Sequence, residues 1–150
     1  MTVKEVTDDQ RIARIQPLFT KWITLLSLAD WDITWQFVDK LAGPDGDNAI
    51  ARVTPIWPYQ RAHIRLVRKA VDAAGLPGEI ETVIVHELCH LVMAPLWEAI
   101  DDVLGGGTIA NRLHGHMETL MDIFALGLQY SYDKKPRGAL YSPVLEGTPQ

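Results

Sequence analysis

The sequence predicts a small α+β domain: an N-terminal helix, a three-stranded, mostly antiparallel sheet, a long central helix and a C-terminal helix. Three observations carry this. Apolar residues recur at helical spacing before residue 30 and after residue 78, and they alternate every second residue through much of the stretch between. Glycine and proline clusters separate these regimes. The chain of 150 residues has the length of one domain and can bury about 70% of its unfolded surface. Hydrophobic residues at 47% against 22% charged residues exclude whole-chain disorder and fibrous repeats.

The first helix is expected over 8–29, capped by Asp8 or Asp9, with Ile12, Ile15, Phe19, Trp22, Ile23 and Leu26 on its apolar face. Pro17 should kink or divide it. Ile33, Trp35 and Phe37 then alternate with Thr34, Gln36 and Val38, as in a strand with one buried face. Residues 43–48, GPDGDN, signal a turn. Two further strands are expected at 49–56 and 61–67, joined by a bend at 57–60. Their simplest arrangement is an antiparallel meander. His63 and Arg65 fall on the polar face of the last strand, where a solvated sheet face accounts for them.

Residues 76–78 end that region. A long helix should follow over 79–104, bent or broken at Pro95. Gly105, Gly106 and Gly107 form a linker, and Thr108 or Asn111 can cap a last helix reaching about residue 130. Its apolar stripe is Ile109, Leu113, Met117, Leu120, Met121, Phe124 and Leu128. Gly115 weakens it locally and lets it begin near His116. The domain is expected to cover 1–132, with 133–150 a loosely held tail.

Charge and cysteine content narrow the chemistry. A net charge of −5 makes a nucleic-acid partner unlikely, because such proteins carry a basic face. No stretch of roughly 18 residues lacks a charged or strongly polar group, so no membrane partner is expected. The N-terminal residues are too charged for a signal peptide, so the chain is read as cytoplasmic. With one cysteine, Cys89, neither an intrachain disulfide nor a cysteine-rich zinc site can form. A buried cysteine is usually a small hydrophobe, and any metal site must use His, Asp and Glu.

His86, Glu87, Leu88, Cys89 and His90 form an H-E-x-x-H sequence. Residues four apart lie on one helix face, so two imidazoles can share one zinc ion. Glu87 is rotated from His86 by about 100° and can reach a water on that metal without ligating it. Coincidence would produce the pattern in about one chain of this length in several hundred. The flanking runs 82–85 and 91–93 are apolar. A buried helix carrying two histidines and a glutamate must supply partners for them.

Zinc needs a third protein ligand. The extended form with a glycine and a third histidine is excluded, because Met93 and Leu96 occupy those places. Glu98 lies eight residues past His90, about 12 Å along a continuous helix, which excludes it too. Glu118 and Asp122 on the last helix project from one face. Glu118 would complete a His2Glu site, and Asp122 would accept a hydrogen bond from the distal nitrogen of His86. His114 shares that face. A competing ligand, an oxyanion helper and a plain surface histidine all fit its spacing. His116 points elsewhere. Tyr59, Tyr130 and Tyr132 are candidate phenol donors to an oxyanion, with ordinary packing the simpler account of each, and the tryptophans are core anchors.

The run from Glu81 to Leu96, with Glu118 and Asp122 downstream, resembles the gluzincins, zinc metallopeptidases with a glutamate ligand. The preceding helix and strands look like the reduced zincin fold of SprT-like proteins and of small zincin-like proteins encoded by phages and prophages. The motif match covers about the central third of the chain. The rest agrees in order of elements, and the zinc-ribbon cysteines of some SprT-like relatives are missing. The resemblance implies a minimal zincin-like fold, His86, His90 and Glu118 as ligands of Zn2+, Glu87 as general base and Asp122 as an outer partner. It implies a metallopeptidase in which Glu87 activates a zinc-bound water against a peptide or protein substrate. The alternative is a non-catalytic, zinc-stabilised interaction module of the phage accessory type.

Overall fold

The computed structural model describes residues 6–41, 49–74, 77–105 and 107–134. The predicted turn at 43–48 and the tail from 135 onward lie outside the described residues. The architecture is α+β.

Helix α1 (Asp8–Leu25) opens with a capping box on Thr7, one residue before the expected cap. Thr7 Oγ1 accepts the Gln10 N–H, and the Gln10 side chain accepts the Thr7 N–H. Asp8 and Asp9 sit instead in the first turn, where negative charge suits the helix dipole. The helix runs unbroken through Pro17 and stops short of residue 29. Ser27, with φ of 56°, lies just beyond its end. Ile15, Phe19 and Trp22 are buried along one face.

Strands β1 (Asp32–Val38), β2 (Ala51–Ile56) and β3 (Arg61–Val67) form one sheet in the order β1-β3-β2. This corrects the expected antiparallel meander. β2 and β3 are an antiparallel hairpin, with Val53 opposite Ile64, but β1 pairs parallel to β3, with Trp35 opposite Ile64. The reason lies in β2. Pro55 has no N–H to donate and is tolerated at a sheet edge, not in the centre. β3 buries Ala62, Ile64, Leu66 and Val67 and takes the central place. On the opposite face, His63 Nδ1 lies 2.9 Å from Thr34 Oγ1 and Arg65 donates to Thr54 Oγ1.

A short helix, α2 (Arg68–Ala73), follows β3 directly and was not expected. With a single buried apolar residue, Val71, it carries no periodic signal. Tertiary contacts hold it. Arg11 on α1 reaches Asp72 through Nε and Nη2, and Asp8 takes hydrogen bonds from Arg11 and Arg68.

Helices α3 (Pro77–Leu104) and α4 (Thr108–Lys134) complete the fold. α3 runs unbroken through Pro95, which removes the break from the two expected alternatives of bend or break. By length and composition its stretch 78–104 could cross a membrane. Here Ile80, Ile84, Val85, Leu88 and Leu91 are buried in the core with α1 and the sheet. Gly105 and Gly107 take positive φ values of 62° and 96°, a region open to glycine at little cost, and the chain reverses there. α4 starts at Thr108 and continues through Gly115 to Lys134, so the expected late start near His116 is corrected. Its buried stripe is narrower than expected. Met117, Met121 and Ala125 are covered, while Ile109, Leu120, Phe124 and Leu128 remain exposed. α4 turns the adjoining face, with Glu118 and Asp122, toward α3.

One polar junction joins three helices. Glu81 on α3 accepts hydrogen bonds from Lys21 Nζ at 2.6 Å and from Trp22 Nε1 at 2.7 Å, both on α1. Gln129 on α4 donates to the Gly78 carbonyl. Burial opposes ionisation of Glu81, but the bonds from Lys21 and Trp22 outweigh it and hold the carboxyl below its ordinary range.

Candidate metal centre

His86 and His90 stand one turn apart on α3, and their Nε2 atoms face each other at 3.1 Å. Glu118 enters from α4. Its Oε2 lies 3.4 Å from His86 Nε2 and 3.6 Å from His90 Nε2. The pairing of His86 with Asp122, His90 with Glu118 and Trp97 with His114 sets the two helices antiparallel. Each residue offers one ligand atom to a common point, and these atoms all lie within 4.8 Å of one another.

The donor set fits a metal ion. Ligands about 2.0–2.1 Å from a tetrahedral ion are separated by roughly 3.4 Å, and the three observed separations bracket that edge. Two ring nitrogens and a carboxylate oxygen facing one another also place lone pairs together, which requires a proton or a cation between them. The contact with Glu118 raises the His86 pKa against the opposing effect of burial. His86 and His90 in turn hold the Glu118 carboxyl far below its ordinary range.

Asp122, one turn beyond Glu118, places Oδ1 2.9 Å from His86 Nδ1. A proton on Nδ1 shared with this carboxylate leaves Nε2 as the ring's lone-pair atom.

Glu87 is 7% exposed and points to the sheet. Its Oε2 accepts the Val53 N–H of β2 at 2.7 Å. Burial raises its pKa; the neighbouring histidines and the Val53 N–H work in the other direction. Since Val53 N–H serves Glu87, it points away from β3, and the free edge of β2 faces the cleft. That cleft, of about 840 Å³, has Val53, Glu87, Trp97, Glu98 and Asp101 among its walls, together with the three clustered residues.

His114 stands beside the cluster. Its Nε2 lies 3.4 Å from the other oxygen of Glu118, Oε1, and its ring packs against Trp97 with centroids 5.3 Å apart. Glu98 lines the cleft but does not join the cluster. His116, Tyr59 and Tyr130 are exposed. Tyr132 packs on Trp22 and under Lys21. Cys89 is buried, and burial pushes its thiol up to about 11.

Two participants are absent from the motif, and only one of them left a signal in the sequence. Val53 acts through its main-chain amide, which leaves no mark in the side-chain pattern. Trp97 was legible: it lies seven residues past His90, two helical turns on, and therefore shares the face of the two histidines. No family model, no curated protein and no solved structure matches the chain.

Proposed function

We propose that the protein is a zinc metallopeptidase of minimal zincin-like form, with His86, His90 and Glu118 holding the ion and Glu87 as the general base. The observation that carries this reading is the convergence of His86 Nε2, His90 Nε2 and Glu118 Oε2 at tetrahedral-edge separations, with Asp122 behind His86. Of the metals that imidazole and carboxylate suit, zinc best matches three protein ligands with one position left for water.

When bound, the ion supplies Lewis acidity and a water whose pKa falls to about 7. The chain supplies the rest. The Val53 N–H fixes Oε2 of Glu87, leaving Oε1 to accept a proton from a cleft water. The oxygen of that water adds to the scissile carbonyl carbon, and the C–N bond breaks only as the amine nitrogen takes up a proton. Glu87 delivers the proton to the departing amine. An extended peptide can pair with the groups of the β2 edge that Glu87 leaves free, beside Ala51 and Val53 in the cleft wall, and main-chain pairing is sequence-tolerant.

The deciding experiment combines metal analysis with a general proteolysis assay on the wild type and on Glu87→Gln. One zinc per chain with cleavage abolished in the variant supports the peptidase. One zinc per chain without cleavage by the wild type favours the zinc-stabilised interaction module. Absence of zinc after metal-replete expression overturns both.

A further inference from the structure

We propose that His114, backed by Trp97, is a positioning residue that occupies the second oxygen of Glu118 and so restricts that carboxylate to one-oxygen coordination. This rests on the reading of His86, His90 and Glu118 as zinc ligands.

A glutamate can ligate through one oxygen or two, and a second bound oxygen takes the position a catalytic site must leave open. Here the two oxygens of Glu118 have different environments. Oε2 faces His86 Nε2 and His90 Nε2 at 3.4 and 3.6 Å. Oε1 faces His114 Nε2 at 3.4 Å. The four-residue spacing on α4 puts both side chains on one face, so the contact needs no distortion of the helix. A proton on His114 Nε2 would tie this nitrogen to Oε1 across the 3.4 Å contact, hold the carboxylate plane and keep Oε1 turned from the cluster.

The side chain of His114 is 63% exposed and would otherwise sample several rotamers. Trp97 limits it. The rings lie 5.3 Å apart at 40°, and Trp97 is on the same face of α3 as both histidines. One helix thereby carries two ligands and the support for the residue that orients the third. Partners outside a metal's direct ligands commonly tune affinity this way.

The test uses the full chain loaded with zinc, and with cobalt as a spectroscopic stand-in. Zinc affinity is read by chelator competition and coordination number by the visible cobalt bands, with thermal melts reporting the fold. His114→Ala is expected to weaken zinc about 10-fold and to shift the cobalt bands toward higher coordination. His114→Gln, which retains an N–H donor, is expected to restore both. Trp97→Leu is expected to fall between wild type and His114→Ala. His114→Ala with wild-type affinity and bands overturns the proposal while leaving the zinc site standing. Loss of nearly all metal in both His114 variants makes His114 a ligand and likewise overturns it. A wild type that takes up neither metal overturns the zinc reading, and this one with it.

Discussion

Asp122 Oδ1 lies 2.9 Å from His86 Nδ1, across the imidazole from the nitrogen that faces Glu118. The contact selects one tautomer of His86 and aims its other nitrogen at the cluster. An asparagine in place of Asp122 could present an amide N–H to the same nitrogen and favour the wrong tautomer. Asp122→Asn is therefore expected to weaken zinc binding roughly 10- to 100-fold, measured by chelator competition. Unchanged affinity would remove Asp122 from the site.

Glu118→Ala should lose most bound zinc, because two imidazoles remain where three protein ligands are needed. Elemental analysis of the purified variant, beside the wild type, checks this. Retention of one zinc per chain would mean that another residue supplies the third ligand.

Glu87→Gln should keep zinc and fold while abolishing peptide hydrolysis. The glutamine carbonyl can still accept the Val53 N–H that Glu87 Oε2 accepts now, so the β2–α3 contact survives. The amide cannot take a proton from water. Cleavage at the wild-type rate would exclude Glu87 as the base.

Glu81→Ala should lower stability by about 1–3 kcal/mol, the usual cost of leaving a buried donor unpaired. The donor is Trp22 Nε1, on a side chain that is 2% exposed. Urea unfolding at neutral pH measures the difference. A change smaller than a few tenths of a kcal/mol would mean that water replaces the carboxylate.

The junction of α1 with α2 should make the protein acid-labile. Arg68 and Arg11 hold the Asp8 carboxyl below its ordinary value of 3.8, and Arg11 does the same to Asp72. A carboxylate with a lowered folded-state pKa adds stability above its unfolded value, and that stability is lost as pH falls through the folded value. Melting temperature should fall below about pH 4. Arg11→Leu should melt lower at neutral pH and show a shallower acid decline. Parallel declines in the two proteins would discount the network.

The candidate site was more legible than the sheet. His86, Glu87 and His90 are local, fixed by helical spacing within five residues. Glu118 and Asp122 followed from the same spacing plus one chain reversal at Gly105–Gly107. Strand order depends on pairings between segments far apart, which periodicity does not encode. One local clue exists in Pro55, whose missing N–H suits an edge strand, but a single residue does not order three strands. Thr7 is hard to pick out as the cap because Asp8 and Asp9 are equally good capping residues by type. The exposed Leu120 and Phe124 show the limit of hydrophobic patterning: it marks an apolar face without saying how much of it another element covers.

The central place of β3 also bears on the order in which the protein can be built. During synthesis β1 and β2 emerge first, yet neither pairs with the other. Among the described residues, both pair with 61–67 and not with each other. A nascent chain that ends before β3 therefore holds two unmatched strands with open edges, a state prone to association. Only with β3 present can both pairings form. The strand order of the platform beneath Glu87 is thus set by residues that all precede the helix bearing Glu87.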